Sequence, residues 1–221
     1  MNDQLSQSPK DRPCARQKLL EAAFGEMHMH GFQGMRVDAV LEKTGLTKGA
    51  FYHHFNSKQA LGIAVVDELI RGKITNIWLD TLNSSSDPVR AIQEAFEKSA
   101  ECYGMDILRL GCPLNNLAQE MSPINEEFRL HINQIFHLWH SALVGALERG
   151  IKTGRIMDDI DPQSVASFIL SCVEGSIGLA KNERDIAPII RTIDEIDRYL
   201  GTLKTGTADC GKDNRKKEDN Q

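Results

Sequence analysis

The sequence predicts an all-α protein, with a small N-terminal unit of three helices followed by a larger helical unit. Apolar residues recur at helical spacing along almost the whole chain. No stretch shows the sustained polar and apolar alternation, or the enrichment in β-branched residues, that is typical of strands. Gly45, residues 83–88 and the Ser122-Pro123 pair interrupt the pattern, and such residues commonly end helices.

The first three predicted helices cover about residues 14–30, 37–44 and 47–55. Leu20, Ala23, Phe24 and Met27 form an apolar stripe on the first helix, which we expect to end at Gly31. The third helix has only about two turns and is too short to be stable alone. It therefore needs Phe51 and Phe55 to pack against the other two helices.

Six further helices are predicted after the first three. They cover about residues 57–82, 88–103, 113–121, 125–152, 162–181 and 185–203. The helix at 57–82 is long enough to connect two domains, which we place at 14–56 and 57–203. Residues 1–13 are expected to form a flexible arm, and the polar residues 204–221 a disordered tail.

Composition excludes several classes of protein. No uninterrupted apolar run approaches the ~20 residues that cross a bilayer, and the polar N-terminus does not resemble a signal peptide, so a cytoplasmic protein is expected. The five cysteines are widely separated and lack CxxC spacing, which argues against disulfides and zinc, and His137 and His140 lack further ligands. No cofactor or metal is expected. With no phosphate-binding glycine loop, nucleophile elbow or HExxH motif, an enzyme is not predicted either.

Charge is unevenly distributed along the chain. The net charge is -5, but residues 1–60 hold eight basic and six acidic residues, a surplus of +2, which leaves -7 for the rest. The N-terminal quarter is therefore the better candidate for contact with phosphate.

Residues 37–55, VDAVLEKTGLTKGAFYHHF, have the layout of a helix-turn-helix. Gly45 suits a turn position with a positive φ, and Thr47 suits the N-cap of the following helix. At 100° per residue, Phe51 and Phe55 point inward, Gly49 and His53 point outward and Tyr52 flanks them. Lys48 lies in the first turn, where the helix dipole favours a phosphate.

Over about residues 14–65 the chain strongly resembles the TetR family of bacterial regulators, whose third helix often reads like GLTKGAFYHHF and precedes a pair like Ser57-Lys58. The resemblance implies that the third helix enters the major groove of a double-stranded DNA operator. Lys48, Gly49 and Tyr52 would then lie near base edges, and Thr47, His53, His54 and Lys58 near phosphates. Arg36 departs from the family, where Thr or Ser is frequent, so a side-chain cap on the second helix is doubtful. Arg36 itself could contact a phosphate.

Simpler structural roles remain open for these residues. Thr47 could act only as a cap, His54 could belong to the packed side, and Lys48, Tyr52 and Lys58 could be ordinary solvated side chains. Before the first helix, Lys10, Arg12 and Arg16 could form an arm that reaches DNA, or simply a solvated tail. A helical interaction module without DNA specificity is the alternative function.

The family also implies that the region after about Leu61 binds a small-molecule effector and dimerises. Small residues on helix 162–181 permit close helix approach, and helix 185–203 carries a wide isoleucine-rich stripe, so the two could pair with a second copy or be buried within one chain. The residues that could line an apolar effector pocket, or simply belong to the core, are Phe96, Tyr103, Leu114, Leu117, Phe136 and Trp139.

Cys112 is the candidate for a redox or electrophile sensor, since a helix N-terminus could lower its thiol pKa. An inert buried thiol is the alternative.

Overall fold

In the computed structural model, residues 14–205 are described, and they confirm the all-α prediction. Apart from one isolated bridge between Ile156 and Lys204, these residues contain no β-structure. The helices are α1 (Ala15–Gly34), α2 (Val37–Thr44), α3 (Lys48–His54), α4 (over residues 58–84), α5 (Pro88–Tyr103), α6 (Asp106–Leu110), α7 (Pro113–Met121), α8 (Glu126–Lys152), α9 (Pro162–Glu183) and α10 (Ala187–Thr202). The short helix α6 was not predicted, and the expected arm at 1–13 lies outside the described residues.

Helix α1 continues beyond its predicted end, but its regular geometry breaks at the expected glycine. Gly31 adopts φ 73° and ψ 169°, a conformation that few other residues tolerate. The break frees the backbone N–H groups of Phe32 and Gln33, which donate to the Glu120 carboxylate of α7 at 2.9 and 2.8 Å. A Cβ atom on Gly31 would lie 2.6 Å from a Glu120 oxygen. The end of α1 is therefore capped by a side chain from the larger unit.

Helix α4 connects the two units and alternates between two helical forms. It comprises α-helical Lys58–Ala64, π-helical Val65–Ile70, α-helical Arg71–Ile74, π-helical Thr75–Leu79 and α-helical Asp80–Ser84. Near its start, a Cβ atom on Gly62 would lie 2.6 Å from the Phe32 ring and 2.9 Å from the Phe128 ring. Glycine at this position therefore lets α4 approach both aromatic side chains closely.

Helix α8 is the central element of the larger unit. Its buried side chains follow the spacing of one helix face, as in Phe128, Ile132, Ile135, Trp139, Leu143 and Leu147. The Trp139 ring lies 4.7 Å from the Trp78 ring of α4, which meets Phe96 of α5 edge-on at 5.4 Å. These contacts belong to one hydrophobic core that extends from α1 to α10.

Helix α9 is long and apolar enough to span a membrane by length and composition alone. It has 22 residues and few charged side chains. One side of the helix packs against α6, α8 and α10. The apolar character of α9 thus serves helix packing on this side, and the opposite side remains exposed.

Candidate nucleic-acid interface and ligand sites

The turn between α2 and α3 has the geometry that the sequence predicts. Gly45 adopts φ 67° and ψ 18°, and its N–H group donates to the Leu41 carbonyl at 2.9 Å. Thr47 Oγ1 accepts a hydrogen bond from the Ala50 N–H group at 3.2 Å and so caps α3. The rings of Phe51 and Phe55 are buried. Side-chain anchors and a cap therefore hold this short helix in a defined orientation.

The outer face of α3 is open to solvent. Its exposed residues are Thr47, Lys48, Gly49, Tyr52 and His53. Tyr52 is 60% exposed although its ring meets Phe51 edge-on at 5.0 Å. A Cβ atom on Gly49 would find only Thr47 Oγ1 within 4 Å, at 3.8 Å. This face thus combines a cation, an aromatic ring with a hydroxyl group and a bare stretch of backbone.

The charged residues around this face differ in how firmly they are held. Lys48 Nζ lies 3.1 Å from Asp38 Oδ1, with the side chains 71% and 55% exposed. Such an exposed pair contributes little to stability, so Lys48 can exchange Asp38 for a phosphate. Arg36 is exposed and gives α2 no side-chain cap, as the sequence suggested. His54 is half-buried and packs edge-on against His53 at 5.0 Å.

Lys58 and Arg16 make intramolecular contacts that the sequence did not predict. Lys58 Nζ donates to the Gln33 carbonyl at 3.0 Å and lies 4.9 Å from the centre of the Phe32 ring. Arg16 lies inside α1 and donates two hydrogen bonds to Glu68 of α4, at 2.6 and 2.5 Å. Arg16 is therefore not part of an arm before the first helix, as it could have been from the sequence, while Lys10 and Arg12 lie outside the described residues.

The six predicted pocket residues and Cys112 lie on α5, at or in α7, and on α8. Leu117 and Trp139 are buried in the core, whereas Phe136 and Tyr103 pack partly buried against it. Cys112 is buried immediately before α7, where the expected lowering of its pKa does not occur. Burial raises the pKa of the Cys112 thiol well above its usual value, and the nearby Glu174 raises it further. The N–H groups of Leu114 and Asn115 lower it too weakly to compensate.

An open cavity of about 280 Å³ lies elsewhere, between α5, α9 and α10. Its apolar lining includes Phe96, Ala100, Ile107, Val173, Ile177 and Ile193. Of the six residues that the sequence offered as an effector-pocket lining, only Phe96 lines this cavity, and Cys112 does not line it either. The isoleucine-rich stripe of α10 contributes to this lining, although from the sequence it was expected either to pair with a second copy or to be buried within one chain.

A buried polar cluster lies where α5, the start of α7 and α9 meet. It consists of Tyr103, Cys112 and Glu174, a carboxyl group that the sequence analysis did not single out because Glu174 looks like an ordinary solvated helix charge. Glu174 is only 8% exposed, and neither of its carboxyl oxygens has a hydrogen-bond partner within the described part of the chain. The buried Tyr103 hydroxyl also lacks a partner there. Burial raises the pKa of Glu174 to about 7. The Cys112 thiol and the Asn115 side chain lie close enough to lower it in part, but neither has the geometry of a hydrogen bond to the carboxyl group.

The outer side of α9 and α10 carries large apolar side chains. Phe168, Leu179, Ile186 and Ile190 are exposed there. On α9, Gly175 and Gly178 lie between Phe168 and Leu179, and an added Cβ atom at either glycine would meet nothing within 4 Å. The arrangement leaves room for another helix to approach closely.

Comparison with known protein families matches most of the chain. The family profile described as "Bacterial regulatory proteins, tetR family" matches residues 19–65, and "Tetracyclin repressor-like, C-terminal domain" matches residues 87–196. The HTH-type transcriptional repressor DhaR of Mycobacterium sp. strain GP1 is 29% identical over 178 residues, covering 80% of this chain and 88% of DhaR. The uncharacterised HTH-type regulator YxaF of Bacillus subtilis is 28% identical over 84% of this chain and 94% of its own.

Solved structures share the fold. A TetR-family transcriptional regulator from Cytophaga hutchinsonii superposes with a TM-score of 0.78 at 21% identity, over 91% of this chain and 99% of its own. The reduced form of NemR from Escherichia coli superposes with a TM-score of 0.73 at 22% identity, over 87% of this chain and 98% of its own.

Proposed function

The chain belongs to the TetR family and is a DNA-binding transcriptional regulator, and we propose that it is a homodimeric repressor of a palindromic operator, released by a small-molecule effector. The observation that carries the proposal is the outer face of α3, which is exposed, capped by Thr47 and anchored by Phe51. In the proposed complex, Lys48, Gly49 and Tyr52 meet base edges. Thr47, His53, His54, Arg36 and Lys58 lie nearer the phosphates.

A homodimer explains how so short a recognition helix reaches useful affinity. Two copies of α3 that lie about 34–36 Å apart read two half-sites separated by one turn of DNA. We place the interface on the exposed apolar side of α9 and α10, around Phe168, Leu179 and Ile190. The glycines of α9 support this placement because they permit close contact between helices.

Release by an effector requires that the larger unit and the DNA-binding unit be coupled. Two contacts around α7 support such coupling. The Glu120 carboxylate accepts hydrogen bonds from the Phe32 and Gln33 N–H groups, and His28 Nε2 lies 2.8 Å from the Gly111 carbonyl oxygen. A ligand that shifts α7 would therefore also displace the contacts that hold α1.

The raised pKa of the buried Cys112 thiol disfavours the alternative of a thiol sensor, because the thiolate is the reactive form.

The matched family and the matched relatives are transcriptional regulators, which are generally not enzymes. We propose a cytoplasmic location, where a regulator of this kind meets its operator.

Selection of bound DNA from a random pool, followed by anisotropy titrations, tests the DNA-binding proposal. Lys58→Ala, at a lysine assigned to the phosphates, is expected to weaken binding to all selected sequences alike and to reduce the salt slope by about one. Tyr52→Ala should change the preference among sequences, and Lys152→Ala, on the exposed end of α8, is the matched control. Failure of the full chain to enrich any sequence would refute the proposal.

A further inference from the structure

We infer that the effector is a lipophilic amine, a molecule with an apolar body and one protonated nitrogen, whose nitrogen binds the Glu174 carboxylate between α5, α7 and α9. The inference rests on the proposed effector-controlled function and names the class of ligand.

The first argument is the unpartnered state of the buried polar cluster. Both Glu174 oxygens and the Tyr103 hydroxyl are buried without a hydrogen bond to any described residue. Native proteins leave few buried polar atoms unpaired, because each one costs free energy that pairing would recover. A buried carboxyl group carries the largest such cost, so its presence calls for a functional reason.

The second argument is that the carboxylate lacks a cation. Among residues 14–205, Glu174 forms no ion pair. Lys73, near the Tyr103 ring, and Lys181, on the same helix as Glu174, are engaged elsewhere. Lys73 Nζ donates to Cys102 Sγ at 3.7 Å, and Lys181 Nζ donates to Asn116 Oδ1 at 3.3 Å. An ionised carboxylate only accepts hydrogen bonds, and an ammonium group offers up to three donors together with the compensating charge. A carboxylate ligand would meet repulsion instead.

The third argument concerns the apolar part of the ligand. Tyr103 packs against the small apolar cluster of Ile107, Leu108 and Ala180. Ile107 and Val173, the residue before Glu174, both line the open cavity of about 280 Å³, so apolar space lies next to the polar cluster. The Tyr103 ring already attracts a cation, since Lys73 Nζ lies 5.7 Å from its centre. Leu114 of α7, two residues after Cys112, is fully buried. These surroundings favour a single charge on an apolar molecule over a strongly hydrated polyamine.

The position of the cluster also connects it to DNA binding. Cys112, beside Glu174, immediately precedes α7, and Glu120 near the other end of α7 caps the broken end of α1. An amine that displaces the start of α7 therefore acts on a helix of nine residues whose other end holds the DNA-binding unit.

Calorimetry on the full chain tests this inference with three matched probes, 4-phenylbutylamine, 4-phenylbutanol and 4-phenylbutyrate. The amine is expected to bind at least about tenfold more tightly than the alcohol and the acid. Glu174→Gln should abolish that preference, and Glu183→Gln, at the exposed end of the same helix, should retain it. Equal amine affinity for wild type and Glu174→Gln, tighter binding of the alcohol or the acid, or no binding of the amine would overturn the inference.

A second measurement needs no variant, so it stands even if Glu174→Gln fails to fold. At pH 6, binding of the amine should release a proton from Glu174, detected as a dependence of the binding enthalpy on the ionisation enthalpy of the buffer. The alcohol should release none. Amine binding without proton release at this pH would count against Glu174 as the partner. Because neither readout involves DNA, absence of DNA binding by the wild-type protein would refute the proposed function separately.

Discussion

Glu174→Gln is expected to flatten the dependence of folding stability on pH. Burial raises the pKa of Glu174 from 4.5 in the unfolded reference to about 7 in the folded protein. The folded state therefore holds a proton that the unfolded state has lost between these two values. Stability contributed by this group is fully present below pH 4.5 and is lost progressively as pH rises to about 7.

The size of the loss in folding stability follows from the rise of the Glu174 pKa. At about 1.36 kcal/mol per pKa unit, the rise of the Glu174 pKa from 4.5 to about 7 corresponds to a loss of about 3 kcal/mol between pH 4.5 and pH 8. The Cys112 thiol and the Tyr103 hydroxyl, whose pKa values are also raised, stay neutral throughout this range. Burial also lowers the pKa of His28, so the contribution of His28 to folding stability rises with pH below pH 6.5. This contribution is the same in the wild type and in Glu174→Gln and cancels in their difference.

Urea unfolding at pH 5, 6, 7 and 8, at one fixed protein concentration, measures the effect. The free energy of unfolding of wild type minus that of Glu174→Gln should fall by about 2–3 kcal/mol from pH 5 to pH 8. Glu183→Gln serves as the control and should show no such trend. A difference that is flat, or that rises with pH, would refute the reasoning that burial governs this carboxyl group.

Three further predictions concern other parts of the molecule. Thr47→Ala should lower the free energy of unfolding by about 1 kcal/mol and weaken operator binding, because α3 loses its cap. Thr47→Ser should retain the stability and the operator affinity of the wild type. Chemical denaturation and anisotropy measure the two effects, and an Ala variant with unchanged stability would contradict the capping role. Phe168→Asp should give monomers in light scattering, whereas Leu130→Asp, on the exposed surface of α8, should leave the dimer intact. If Phe168→Asp has the same mass in solution as the wild type, the interface does not lie on this side of α9. In the folded protein iodoacetamide should modify exposed Cys102 and leave Cys112 unmodified by mass spectrometry, and rapid alkylation of Cys112 would contradict its burial.

The sequence by itself determined the features that depend on neighbouring residues. Apolar spacing and helix breakers predicted the main helices, and Gly45 and Thr47 predicted the geometry of the turn and the cap of α3. The outward face of α3 followed from the same helical period. These features are local, because each depends on backbone conformation and contacts within a few residues, which a single sequence specifies.

Only the tertiary structure decided which polar side chains pair across long sequence distances and which are buried. Arg16 pairs with Glu68, 52 residues away, and Glu120 caps the end of α1 across 88 residues. Glu174 lies in the interior although its sequence context resembles that of a solvated helix charge. The burial and the partners of such groups depend on which helices meet, and helical periodicity gives the faces of each helix without specifying which faces come together.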